Sequence, residues 1–290
     1  MSVIDQLRRQ IGSIDRQAVV SKKGEAADGE EENVLSLAFA PADDALGGGL
    51  KRGALHEIAP EKPVHLGAAT GFAIAVAGRT LREMHGDIAP MVWIQQHYAM
   101  SESGRLYGAG LQPLGLEPDT LLAVRVPKPI DVLWAMEEAL SLGIKLVIGE
   151  IPGEGKEATI TATRRLSLAA KAGGGIGLLL RHRASTSPSA ALTRWHIAAI
   201  NSHADRFGGL GLPAFSLSLV KNRHGSCGRW IAHWNYHEQE FLASVQSPDI
   251  SSRTLPRGLF PVPRHGPDRA RQSAAEWNEA GSPRRHRIAS

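Results

Sequence analysis

LGGGLKRGALHEIAP (residues 46–60) runs straight into EKPVHLGAATGFAIAVAG (61–78), and how that junction is read decides the fold. ALHEIA (54–59) is an apolar run of strand length. TGFAIAVAGRTLREMH (70–85) is long enough for a helix and closes before Gly86. Strand, loop and helix N-terminus in that order form the layout of a phosphate-binding loop, in which backbone N–H groups and the helix dipole cradle an anion. The side chains depart from the layout. A working loop reads G-x-x-x-x-G-K-[ST]; in the register that begins at Ala59, its last three positions are Val64, His65 and Leu66. Moving the register to Gly67 places Ala68 at the lysine and Ala69 at the magnesium-holding hydroxyl, with Thr70 one residue late. The missing lysine would have made charge-assisted bonds worth roughly 1.5–3 kcal/mol each. Hydrolysis should therefore suffer more than binding.

Outward from this junction, the runs MVWIQ (91–95), LLAVRV (121–126), IKLVIGEI (144–151) and IGLLL (176–180) alternate with helical segments. PIDVLWAMEEALSL stops before Gly143 and EATITATRRLSLAAKA before Gly173, glycine being the residue that accepts the left-handed backbone past a helix end. Such alternation predicts an α/β fold, a mostly parallel sheet flanked by helices. Three later runs, RWHIAAI (194–200), FSLSLV (215–220) and RWIAHWNY (229–236), lack helical connections and are expected to add antiparallel strands at one edge.

The chain of 290 residues and 31.1 kDa is 42% hydrophobic, enough for one sizeable domain, here residues 34–245, with short appendages. Its single cysteine, Cys227, closes no internal disulfide and fits a reducing, cytoplasmic compartment. The opening residues are charged where a signal peptide needs an apolar stretch. No uninterrupted apolar run approaches the roughly 18 residues that span a bilayer, so we expect no membrane partner. At the N-terminus (1–20), Ile4, Leu7, Ile11 and Ile14 make one apolar stripe of a short amphipathic helix, which packs on its own domain or on a neighbouring protein. An acidic linker (21–33) follows. Residues 246–290, rich in Pro, Arg and Ser, read as a disordered basic tail. Charge is uneven along the chain: residues 34–159 hold 10 Lys/Arg against 15 Asp/Glu, whereas residues 160–245 hold 10 against 3. Such asymmetry fits a polyanionic partner for the second half, although ordinary solvated surface would have the same composition.

Other motifs carry less. PGEGKEA (152–158) supplies Gly155 and Lys156 of a second phosphate loop but has Glu150 and Glu157 at its two ends, so it reads as a polar loop. Glu150 ends an apolar strand where a nucleotide-hydrolysing domain places a metal-binding carboxylate. His224, Cys227, His233 and His237 have zinc-like spacing, but on a strand residues four apart lie about 13 Å from each other, too far for one ion, and we expect no metal site.

DDALGGGLKRGALHEIAPE (43–61), VWIQQHYAM (92–100), KLVIGEI (145–151), LLLRHRAS (178–185) and LVKNRHG (219–225), in that order, resemble the core of the recombinase RecA. HEIAP (56–60) and GAATGFA (67–73) make the chain more similar still to the inducible mutagenesis protein A family, the RecA-like partners of an error-prone polymerase cassette. The resemblance covers about residues 40–240. It implies a RecA-like P-loop NTPase core in which Gly67, Thr70, Gln96 and Glu150 are the vestiges of a nucleotide site. Gln96 stands where RecA-like ATPases carry the glutamate that activates water, and an amide cannot take that proton. ATP with Mg²⁺ is the cofactor the resemblance implies; the residues lead us to expect none and no catalysis. The loop RHRASTSPSA (181–190) stands where RecA-like proteins place a DNA-binding loop, which makes Arg181 and Arg183 phosphate contacts. Lys221 and Arg223 match a stretch that reaches a neighbouring subunit's nucleotide and here become candidates for DNA or a partner. The implied role is a non-catalytic accessory protein of damage-induced (SOS) translesion synthesis, cytoplasmic and nucleoid-associated. Its implied partners are DNA, an inactive Y-family polymerase homologue, an error-prone replicative-type polymerase and RecA. A DNA-dependent ATPase or recombinase with an unorthodox loop, and a purely protein-binding regulator, are the rival readings.

Overall fold

A computed structural model describes residues 33–83, 91–100, 104–114, 116, 118–153, 155–202 and 211–243. The N-terminal stripe Ile4, Leu7, Ile11 and Ile14, most of the acidic linker, and the tail 246–290 lie outside the described residues.

A two-stranded hairpin, β1 (Val34–Leu35) with β2 (Leu50–Lys51), encloses the short helix α1 (Ala40–Leu46). The Asp43 carboxylate folds this lead-in by accepting from the backbone N–H groups of Leu37 and Phe39 at 2.9 and 3.1 Å. After it come β3 (Ala54–Pro60), α2 (Leu66–Glu83), β4 (Met91–Gln96), β5 (Leu121–Val126), α3 (Pro129–Ser141), β6 (Leu146–Ile151), α4 (Ile160–Gly173) and β7 (Ile176–Arg181). The chain ends its described course in β8 (Thr193–Ile200), β9 (Ala214–Asn222), β10 (Gly228–Asn235) and β11 (Glu240–Ala243). One nine-stranded sheet has the order β11-β10-β9-β8-β3-β7-β6-β4-β5. All eight runs read as strands are strands, and the fold is α/β with a mostly parallel sheet, flanking helices and an antiparallel edge.

The edge begins one strand later than expected. β8 pairs parallel with β3, from His56↔Thr193 to Pro60↔Ile197, and only β9, β10 and the unforeseen β11 are antiparallel. The connection from β7 to β8 passes the end of β3 without forming a helix, so the absence of a helical pattern there did not mean a hairpin. The helix α4 also ends one residue beyond expectation. It includes Gly173, and Gly174 at φ +72° is its left-handed cap. Gly86 lies outside the described residues.

Period-two alternation divides the core between the two faces of the sheet. Ile58, Trp93, Ile148, Leu178 and Trp195 point to α2, whose Phe72, Ala73 and Val76 are buried against them. Leu55, Ile94, Val147 and Leu179 point the other way, to α3 and α4. At Gly149 a Cβ would come within 2.0 Å of the Met136 sulfur, so α3 sits on β6 at a distance only glycine permits. Phe72 of α2 meets Phe241 of β11 at 5.5 Å and so fastens the wing β9–β11; it also meets Trp195 of β8 at 5.5 Å, and within the wing Phe241 packs on Trp234 of β10 at 4.8 Å. Each contact is worth about 0.5–1.5 kcal/mol beyond its buried area. By length and composition Pro63–Glu83 could cross a bilayer, but half of its apolar window is buried within the domain.

Candidate functional site

Polar clusters lie on both faces of the sheet, drawn from the last residues of β4, β6 and β7, the middle of β3 and the start of β8. On the α2 face, Glu150 from β6 accepts from Gln95 Nε2 at 2.6 Å, is 2.6 Å from His182 Nε2, and takes a longer bond from the Trp93 indole. Glu150 is almost fully buried. Burial alone would raise its pKa, but the hydrogen bonds from His182 and Gln95 and the charge on His182 outweigh it and hold the carboxyl below the ordinary range. Alternation along β4 turns Gln96 away from this cluster; its amide donates to the Pro127 carbonyl at 3.2 Å. The structure thus brings Glu150 together with Gln95 rather than with Gln96.

On the opposite face lies a buried Arg–Glu–Arg triad that spans the three central strands. Glu57 of β3 is fully buried; its Oε1 accepts from Arg181 at 2.9 Å and its Oε2 from Arg194 at 2.6 Å. Burial pushes the Glu57 pKa up, and the two guanidinium groups more than reverse this, leaving it lowered. Other bonds of the two guanidinium groups hold loops: Arg181 donates to the carbonyls of Gly155 and Ala158, and Arg194 to those of Ser185 and Ser187. One carboxylate therefore anchors both the loop after β6 and the loop after β7.

This corrects the expectation for Arg181. Its side chain is 2% exposed and committed to Glu57, because a charge on a buried carboxylate needs cations beside it, so it is a structural residue and no phosphate contact. Arg183, two residues on, is exposed and lines a cleft of about 670 Å³ between the two loops, together with Lys156, Thr159, Ser185, Thr186 and Ser187. Thr159 is also the N-cap of α4, accepting from Ala162 N–H. Lys221 and Arg223 both donate to the Ser189 carbonyl, at 2.7 and 3.1 Å, which ties the end of β9 to the same loop and leaves Arg223 exposed. Gly155, at φ +61°, lies under Arg181, whose Nη1 would be 2.7 Å from an added Cβ. Gly155→Ala should lower stability by about 1–3 kcal/mol, read as a urea midpoint, through backbone strain and displacement of the guanidinium.

The junction after β3 does not fit the phosphates of a nucleotide. Five residues separate Pro60 from Leu66, and Pro63–His65 of these form a 3-10 turn. Gly67 and Thr70 lie inside the first turns of α2, and a Cβ on Gly67 would meet open space. The connection opens with Glu61, an anion paired with Arg229 at 2.7 Å, and exposes Val64 at 83%. A phosphate there would meet a carboxylate and an apolar side chain, and the lysine of this connection, Lys62, precedes the turn instead of standing on α2 where the motif places it.

Sequence reading missed Glu57, Arg194, His182 and Gln95. The available signal was a charged residue inside a run of otherwise buried character: Glu57 in ALHEIA and Arg194 opening RWHIAAI. Such charges must find partners on neighbouring strands.

These features define an α/β domain with a central parallel sheet, two internal polar clusters, and a basic cleft between loops at the strand ends. No protein-family model matches the chain. It is 30% identical over 198 residues to Protein ImuA of Caulobacter vibrioides, in both strain NA1000/CB15N and strain ATCC 19089/CB 15; the match covers 64% of this chain and 76% of the relative. The chain belongs to the ImuA (inducible mutagenesis A) family.

Proposed function

We propose that this protein is a non-catalytic, RecA-like accessory factor of damage-induced, error-prone translesion synthesis, which recruits or regulates a polymerase complex through DNA and protein contacts. The observation that carries the reading is the junction after β3: a scaffold laid out for a phosphate loop has a 3-10 turn, a leading carboxylate and Ala68 where the phosphate-binding lysine belongs, while a cleft with exposed Arg183 and Lys156 stands at the ends of neighbouring strands. Family membership supports the link to induced mutagenesis. An inactive Y-family polymerase homologue, an error-prone replicative-type polymerase and RecA are the partners to test by pull-down from damaged cells, and a nucleoid-associated cytoplasmic location follows from the reading.

Two measurements test it. With Mg-ATP and single-stranded DNA, turnover should not exceed that of a blank; turnover abolished by Glu150→Ala would overturn the non-catalytic reading. Titration of single-stranded DNA at increasing salt should give a slope near −0.7 per contacted phosphate, and Arg183→Ala should reduce its magnitude by about 0.7. No binding at about 50 mM salt, where phosphate contacts are strongest, would replace the DNA contact with a purely protein-binding role.

A further inference from the structure

We propose that the path of single-stranded DNA does not end in the cleft of Arg183 but continues over Arg223 into a second cavity beside the lead-in hairpin, where Lys51 and His224 contact its backbone. The proposal rests on the DNA-binding reading and extends it. The second cavity, of about 470 Å³, lies between Lys51 of β2, Leu192 before β8, and Asn222 and His224 at the end of β9. The chain itself sets how close the two recesses are. Pro188 lines the first and Leu192 the second, and four residues of backbone span at most about 14 Å. Within that span the Ser189 carbonyl accepts from Lys221 and Arg223, and the Arg223 N–H donates to the Leu192 carbonyl at 3.1 Å. Arg223 is nevertheless exposed, so a guanidinium stands on the surface between the recesses.

The lining gives the sign of the ligand. Among the described residues, no Asp or Glu lines either cavity. Lys221, between them, registers the excess of positive charge: its pKa is lowered by burial first and then by Arg223 and Arg194, and the opposing carboxylate, Glu57, is already bound to two arginines. The second cavity is also held in shape. Asn222 Nδ2 donates to the Ala45 and Ser226 carbonyls at 2.8 and 3.1 Å, and its Oδ1 accepts from the His224 N–H at 3.1 Å. A Cβ on Gly225 would come within 2.2 Å of the Ala45 oxygen, which seats the turn after β9 on the end of α1. Asn222 is thus committed within the protein, and so is Thr193 of the same lining, to His56 and Trp195. Lys51 is placed differently: His56 binds its main-chain carbonyl, and its side chain is exposed. Such a cation meets phosphate and carries no base preference. A strand that dips into two recesses within about 14 Å of each other must bend sharply between them, which duplex DNA, with a persistence length of about 150 base pairs, resists.

Anisotropy titrations of the full chain with a labelled single strand of about 12 nucleotides, over a range of salt, test this. The wild type should bind one strand per chain. Lys51→Ala should reduce the magnitude of the salt slope by about 0.7 and the affinity about fivefold at about 0.1 M salt, and its combination with Arg183→Ala should reduce the slope by about 1.4, because both cations touch one strand. His224→Ala should lower the affinity about threefold, the loss of one hydrogen bond. Lys51→Ala spares the carbonyl that binds His56, so the melting temperature should hold; if it falls, Lys51→Met, which keeps the side-chain stem, takes its place. A duplex of the same length should bind more weakly. A slope lowered by Arg183→Ala but unchanged in the Lys51 variants would overturn this proposal and leave the DNA-binding reading standing. So would two strands per chain, or a duplex held as tightly as the single strand. No binding by the wild type at about 50 mM salt would overturn both.

Discussion

Replacing Glu57 with Gln or Leu should lower stability by about 3–5 kcal/mol, one of the largest effects of any single substitution in this chain, because it leaves two buried guanidinium groups without their counter-charge. In a domain of this size that corresponds to a fall in melting temperature of roughly 6–20 °C. Arg181 has nowhere to go: it lies under Gly155, and its side chain is 2% exposed. The informative comparison is with the triple variant Glu57→Leu/Arg181→Met/Arg194→Leu. Removing all three charges together removes the penalty of the unpaired pair, and well-packed apolar replacements of buried ion pairs are often neutral or stabilising. Global stability should therefore recover most of the loss. The loops should not recover. The carbonyls of Gly155, Ala158, Ser185 and Ser187 lose the donors that hold them, so amide exchange and proteolytic cleavage at 152–159 and 182–190 should rise in the triple variant as in the single one. A triple variant whose loops stay as protected as in the wild type would show that the triad serves stability alone.

The same triad shows what could be read from the sequence. Strand and helix positions were legible because both depend on local periodicity: ALHEIA, MVWIQ and IGLLL have strand length and no polar interruption, and glycine marks the ends of α3 and α4. The strands' partners were not legible. β8 joins β3 in parallel across a connection with no helix, and whether a strand pairs parallel or antiparallel depends on where its chain enters the sheet, which no local pattern records. The site followed the same division. The departures from a phosphate-loop motif could be read residue by residue, since that motif needs particular side chains at fixed spacing. Arg181 was misread because a charge beside a loop looks like a surface charge until its strand parity is known; on β7 it shares a face with Leu179 and turns inward to Glu57. Gln96 and Gln95 differ by one residue and so point to opposite faces, a distinction that sequence resemblance alone does not make.

Acid should destabilise the protein well before its carboxylates titrate, and His56 is the reason. This imidazole is completely buried between the lead-in hairpin and the start of β8. Its Nε2–H donates to the Lys51 carbonyl at 2.9 Å, since a carbonyl can only accept, and Nδ1 therefore accepts from the Thr193 hydroxyl at 2.7 Å. Thr193 Oγ1 in turn accepts from the Trp195 indole at 3.2 Å, so the network is satisfied only with His56 neutral. Burial drives its pKa down to about 4 from 6.5, against a smaller raising effect of the Lys51 carbonyl. Because the unfolded chain binds this proton more readily than the folded one, stability is fully present above pH 6.5 and drains away as pH falls toward 4, by roughly 3 kcal/mol in all. His196, also lowered by burial and by Arg194, adds in the same direction. Glu57 and Glu150, whose pKa values are lowered, start to withdraw their stabilisation only as pH falls to the ordinary carboxylate value, in the lowest part of that window and below it. Urea titrations followed by tryptophan fluorescence at pH 7 and at pH 4.5 should show this loss in the wild type. His56→Gln, which keeps a donor for Lys51 but cannot ionise, should be less stable at pH 7 and lose much less between the two. Equal losses in both proteins would mean that the proton responsible binds elsewhere.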